Sequence, residues 1–267
     1  MNRLRKDVSD AEIATHMAPR VLELMRSVVQ RIVRKAPEPK ADEIAPKRDV
    51  RGNGKLSALE VEYLESIVAE PRLSVTARRD HLALSTWQNN EVKRSLLEKG
   101  LIEEFSVNLG KVTGGIMKLQ ELTEEGFRAL GMKPKRSRPQ NVSAEHWFWQ
   151  KEIAAFYQSS GTQAEIEMHV NGVFADVGLV KHGRKIAIEV GITPKNEVAN
   201  VQRDLAAGFD EVIVAGRNMR VLKAIEERLW PVLAPELHDR VKLILLSDFP
   251  FVRELLKRVV QRAVQRS

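Results

Sequence analysis

Two short apolar runs, each interrupted by one acid, constrain this chain more than any other feature. They are Val173-Phe174-Ala175-Asp176-Val177-Gly178-Leu179-Val180 and Lys185-Ile186-Ala187-Ile188-Glu189-Val190-Gly191, parted by a turn at His182-Gly183-Arg184. Short runs around such a turn predict a β-hairpin. A carboxylate inside a Val/Ile strand is costly unless a cation or a proton meets it. Two of them on adjacent strands point to a divalent cation between Asp176 and Glu189. The plainer alternative is structural: Asp176 as an acid near a turn, and Glu189 paired with Lys195 or Arg184.

The chain has 267 residues, 43% of them hydrophobic, which suffices for two modest cores. Its net charge of +7 favours an anionic polymer or surface as partner. It contains no cysteine, which excludes disulfides, thiolate zinc sites and cysteine nucleophiles. The start, Met1-Asn2-Arg3-Leu4-Arg5-Lys6-Asp7, is positive without a following apolar stretch, so no secretory signal is expected. No run approaches membrane-spanning length. The expectation is a cytoplasmic protein without a membrane partner.

Residues 1–35 carry a helical stripe of Ile13, Met17, Val21, Leu24, Val28 and Ile32, a packing or dimerisation face. Residues 36–55, with Pro37, Pro39, Pro46, Gly52 and Gly54, have linker composition. Residues 56–131 form one small domain. Three helices are expected over about 58–69, 75–82 and 85–99. Strands at Ile102–Leu109 and Val112–Leu119 flank Gly110-Lys111, and a short helix starts at Leu122. Ser74 and Ser85 are expected caps, Gln88 completes a capping box, and Gly100 suits the left-handed position after a helix. Residues 132–142 are a basic, proline-bracketed linker. Residues 143–267 read as helix, three strands, then βα alternation. That order argues for a mixed α/β sheet with helices on its faces.

The region 56–131 resembles the winged helix-turn-helix family. The resemblance rests on His81-Leu82-Ala83-Leu84-Ser85, Leu96-Leu97-Glu98-Lys99-Gly100-Leu101-Ile102 and Leu122-Thr123-Glu124-Glu125-Gly126. It implies a third helix that enters the DNA major groove and a wing that touches phosphate. Thr86, Gln88, Asn89, Asn90, Lys93 and Arg94 then become DNA contacts, with Lys111 at the wing tip on phosphate. Val92, Leu96, Leu97 and Leu101 read as core, and Trp87 as packing.

Residues 143–216 resemble the PD-(D/E)xK nuclease superfamily, particularly its Holliday-junction-resolvase-like members. The matching order is Gln150-Lys151-Glu152-Ile153, Ala164-Glu165-Ile166, Ala175-Asp176-Val177, Ile188-Glu189-Val190 and the helix from Val198 to Leu205. The resemblance implies a restriction-endonuclease-like sheet and metal-dependent phosphodiester hydrolysis. Asp176 and Glu189 would hold Mg²⁺ or Mn²⁺, and Glu152 would complete the site directly or through water. The family lysine two residues past the glutamate is replaced by Gly191, so Lys195, or after it Arg203, becomes the substitute cation. Taken together, the expected fold is α/β and α+β: a winged helix followed by a nuclease-like sheet domain. The expected function is a metal-dependent DNA endonuclease in a mobile-element, recombination or defence setting, as a homodimer or part of a larger DNA-processing assembly. The alternatives are a non-catalytic DNA-binding regulator or assembly factor, and a protein-docking subunit.

Overall fold

The computed structural model describes residues 56–110, 115–253 and 255. The expected helix over 1–35, the linker 36–55, Lys111 and the basic end of the last helix lie outside them.

Three helices open the described chain: α1 (Ala58–Ala69), α2 (Val75–His81) and α3 (Thr86–Glu98). A serine starts each. Ser57 and Ser85 form full capping boxes with Glu60 and Gln88, and the Ser74 hydroxyl accepts from the Ala77 N–H. Gly100 follows α3 at φ +65°, a conformation that side chains with a Cβ disfavour. The antiparallel hairpin β1 (Ile102–Gly110) and β2 (Gly115–Leu122) comes next, then α4 (Glu124–Ala129). Tyr63, Leu64, Val92, Leu96, Leu101 and Phe127 form the core of this unit. The order, three helices and a hairpin, is that of a winged helix.

Two details differ from the sequence reading. Gly110 pairs with Gly115 and β2 runs to Leu122, three residues past the expected end at Leu119; its expected start at Val112 lies outside the described residues. Met117 and Leu119 are buried while Ile116 is exposed, the alternation of a half-buried strand. Leu97, expected in the core, is 38% exposed, because α3 turns it away from α1.

The second half builds a mixed sheet. After α5 (Ala144–Ser159) come β3 (Gln163–Val170), β4 (Val173–Lys181) and β5 (Arg184–Gly191), then α6 (Glu197–Ala207), β6 (Glu211–Gly216), α7 (Met219–Leu229) and β7 (Val241–Leu245). The five strands lie in chain order. The β3–β4 and β4–β5 pairs are antiparallel, whereas β5–β6 and β6–β7 are parallel. Helices α6 and α7 make the two crossovers that parallel pairing requires. Val201, Leu205, Ile225 and Leu229 from these helices pack on Ala187, Val212 and Val214.

The other core of the sheet is shared. Phe148, Trp149 and Ile153 of α5 pack against Val177, Leu179, Ile188 and Val190, and Val107, Leu109, Met117 and Leu119 of the hairpin join them. The hairpin therefore rests on the α/β half. The Asn108 N–H donates to Glu145 at 3.0 Å, and a Cβ on Gly110 would stand 2.9 Å from Ser247 Cβ. Arg217 Nε lies 3.1 Å from the same Glu145 carboxylate. The basic stretch 132–142 is also held at its middle: the Ser137 hydroxyl donates to the Leu122 carbonyl, and the Trp147 indole N–H donates to the Ser137 carbonyl. Among the described residues no helix is long and apolar enough to cross a membrane.

Candidate nucleic-acid interface and acidic site

The helical unit presents one face of α3. Trp87, Asn90, Arg94 and Leu97 follow at three- and four-residue steps, so they form a stripe. All four are exposed, Trp87 at 71%. The expectation that Trp87 packs is thereby corrected. Val92 and Leu96 already fill the core side of α3, and the second position of the helix points away from α1. Asn89 is corrected in the opposite sense. It is 4% exposed, and its Oδ1 lies 3.3 Å from the Tyr63 hydroxyl, so it serves the core. The remaining residues named from the winged-helix resemblance are accessible to different degrees. Gln88 spends its Oε1 on the Ser85 N–H, and the Thr86 hydroxyl accepts from Arg79. Lys93 lies 3.1 Å from Glu104, and Arg94 2.7 Å from Glu91.

The acidic site forms where β4 and β5 part. Backbone pairing ends at Val177 opposite Ile188. Beyond it the carboxylates bridge the strands: the Asp176 N–H donates to Glu189 Oε1 at 3.2 Å, and the Val190 N–H donates to Asp176 Oδ2 at 2.8 Å. The two acids thus converge in one place, each satisfying the other strand's backbone. Asp176 Oδ1 also lies 3.0 Å from His146 Nε2 and accepts from Gln150 Nε2 at 3.1 Å. Glu189 Oε2 accepts from Asn200 Nδ2 at 2.8 Å. Glu197 and Asp204, on α6, complete the group.

Burial governs the charges here. Glu189 is 1% exposed, and burial followed by the charges of Asp176 and Asp204 pushes its carboxyl well above the usual range. Asp204, fully buried, is itself raised by burial, an effect opposed by its hydrogen bond with Glu189 and by Arg203. Two neighbouring carboxyls that are both raised titrate as a pair rather than singly. Burial and then Asp176 raise Glu197 to about 7. Burial works against the His146 cation, yet Asp176 first, then Glu197 and Glu167, raise its pKa above the ordinary value.

The residues expected at this site divide. Asp176 and Glu189 meet. Glu152 does not join them. It points two residues round the helix from Gln150, pairs with Arg72 at 2.6 Å and lines a groove beside the helical unit. Lys195 is exposed in the loop before α6 and forms no ion pair with either acid among the described residues. The cation near Glu189 is Arg203, at 3.9 Å, which also binds Asp204 and the Phe174 carbonyl. Arg184, an alternative partner for Glu189, lies instead 3.5 Å from Glu211. A Cβ on Gly191 would meet Ile225 Cδ1 at 3.2 Å and Glu197 Cγ at 3.6 Å, so this position faces Glu197.

His146, Gln150, Glu197, Asn200 and Asp204 were not picked out as site residues by the sequence reading. Their spacing carried the signal: 146 and 150 share a helical face, as do 197, 200 and 204. Asp176 and Glu189 offer the hard oxygen donors a divalent cation takes. Their oxygens are already hydrogen-bonded within the cluster, and among the described residues no three His, Cys, Asp or Glu side chains form a ready-made metal cage. Three acceptors of the cluster, Glu197 Oε2, Asp204 Oδ2 and Gln150 Oε1, are buried without a hydrogen-bond partner among the described residues.

No family model matches the chain, and no curated protein matches it. Part of the chain is similar to a crystal structure of the PcaV transcriptional regulator from Streptomyces coelicolor, at 23% identity over 39% of this chain and 71% of that one, with a TM-score of 0.24. The same regulator in complex with its natural ligand gives 16% identity, coverage of 59% and 99%, and a TM-score of 0.25. Lactococcus lactis ZitR, a zinc-responsive MarR family member, gives 17% identity, coverage of 54% and 83%, and a TM-score of 0.26. Likenesses of this size establish neither fold nor function.

Proposed function

We propose that this chain is a DNA-binding regulator or assembly factor that reads duplex DNA with α3. The observation that carries the reading is the exposed stripe of Trp87, Asn90 and Arg94 on the third helix of a winged-helix arrangement. Asn suits the adenine edge, and Arg suits guanine or phosphate. The net charge of +7 adds a sequence-independent attraction to the phosphate backbone. Thr86, Gln88 and Lys93 flank the stripe as secondary contacts. The test is selection from a random pool of duplexes. The parent enriches a defined motif, and Asn90→Ala loses preference at one position of it. Recovery of the same motif by the variant rejects the assigned role.

A second reading has one specific observation in its favour, the partnerless Glu197 Oε2 beside Asp176. In that reading Asp176, Glu189 and Glu197 hold Mg²⁺ or Mn²⁺ and the protein cleaves DNA. When bound, the metal would supply an activated water for phosphodiester hydrolysis. Lys195 would have to swing in, or Arg203 would act in place of the lysine that Gly191 lacks. Plasmid and branched DNA incubated with either metal decide the matter. The endonuclease reading requires cleavage that Asp176→Ala and Glu189→Ala abolish, whereas the regulator reading requires intact DNA throughout.

A further inference from the structure

A groove of about 600 Å³ lies where the helical unit meets α5, and none of its lining residues belongs to the α3 stripe or to the acidic site. Its volume falls within the range of small-molecule sites. Phe105, Phe127, Trp147 and Phe148 supply apolar walls. Gln120 lies among them, 1% exposed. The Tyr63 hydroxyl stands 3.1 Å from its Oε1, while its Nε2 has no partner. Turning the amide over changes which end is left without a partner, but one end is left either way.

The groove is also cationic in a particular way. Lys135 Nζ sits 5.0 Å from the Phe127 ring centroid, and Lys151 Nζ sits 5.6 Å from that of Trp147. Neither ammonium forms an ion pair among the described residues. The acids nearby are differently placed: Glu152 pairs with Arg72, Glu121 pairs with Arg138, and Glu70 is exposed. Burial lowers the pKa of Lys151 even with Glu152 as its chain neighbour. An ammonium resting on an aromatic face, with no carboxylate paired to it, gains from an anion placed against it.

The geometry points to a binding site in this groove for a small organic anion with an apolar body, its ring or chain between the aromatic walls and its charged group on Lys135 and Lys151. Gln120 would meet a polar atom of the body. The ligand would touch the hairpin strands, the 132–142 segment and α5 at once. This site shares no residue with the proposed DNA face, so the two proposals fail separately.

The full chain titrated with 1-anilinonaphthalene-8-sulfonate tests this, with 2-naphthoate and its neutral analogue 2-naphthalenemethanol as competitors. The expected result is one saturable site, displaced by the carboxylate with an affinity about tenfold or more above that of the alcohol. Lys151→Met and Lys135→Met should each weaken 2-naphthoate about fivefold while changing the alcohol less than about twofold. Both lysines are exposed, so neither variant should disturb folding, and each tests the site independently. Equal binding of acid and alcohol, unchanged 2-naphthoate affinity in the Lys135 variant, or no displacement by about 1 mM carboxylate overturns the site.

Discussion

Glu197→Gln should flatten the pH dependence of stability, by an amount the structure sets. Glu197 is 7% exposed, and burial and the neighbouring Asp176 lift its carboxyl from 4.5 to about 7. A raised acid keeps its proton in the folded chain while the unfolded chain loses it. Its contribution is therefore full below pH 4.5 and is lost as pH rises through about 7. At 1.36 kcal/mol per pH unit the loss is about 3 kcal/mol. Glutamine keeps the shape but cannot ionise. Urea unfolding between pH 5 and 8, followed by the buried Trp149, reads the effect directly. With an m-value of about 2 kcal/mol/M, the urea midpoint of the parent should fall by about 1.5 M more than that of the variant. His146, Glu189 and Asp204 titrate in both proteins and largely cancel in the difference. Parallel pH curves for the two proteins would refute the reasoning.

Glu60 behaves in the opposite sense. Burial raises its carboxyl, but hydrogen bonds from Lys99, the Ser57 N–H and the Ser95 hydroxyl outweigh that and hold it at about 2. Its stabilisation is present above pH 4.5 and lost as pH falls toward 2, so acid unfolding of Glu60→Gln should depend less on pH in that window. Trp149→Ala, at a fully buried site, should cost about 3–5 kcal/mol in denaturant unfolding. Glu145→Ala removes the carboxylate shared by Asn108 and Arg217 and should destabilise the protein by about 1–3 kcal/mol, while DNA binding by α3 persists in anisotropy measurements.

Local signals were legible because they act within a few residues. Ser74, Ser85 and Gln88 take the capping roles their positions predict, Gly100 takes the left-handed one, and Ser57 adds a third serine cap. The two acid-bearing runs are adjacent strands, and Asp176 meets Glu189 as their spacing around the turn requires. Errors arose where distant parts of the chain decide. Asn89 is buried because Tyr63, 26 residues earlier, claims it. Trp87 looks like core by composition, yet the core side of α3 is already filled. On α5, the nuclease resemblance implies Glu152 as the inward acid, but the helical phase set by Trp149 and Ile153 turns His146 and Gln150 toward Asp176 instead. The hairpin's packing on α5 left no mark in the sequence, since Val107, Leu109 and Met117 alternate as in any half-buried strand.

The central claim is that α3 binds duplex DNA through its exposed stripe, and fluorescence anisotropy over a salt series measures it most directly. The account predicts affinity that falls linearly with salt on logarithmic axes, with Arg94→Ala weakening binding and reducing the slope by about 0.9. Absence of binding at low salt, or a slope and affinity that Arg94→Ala and Asn90→Ala leave unchanged, would contradict it.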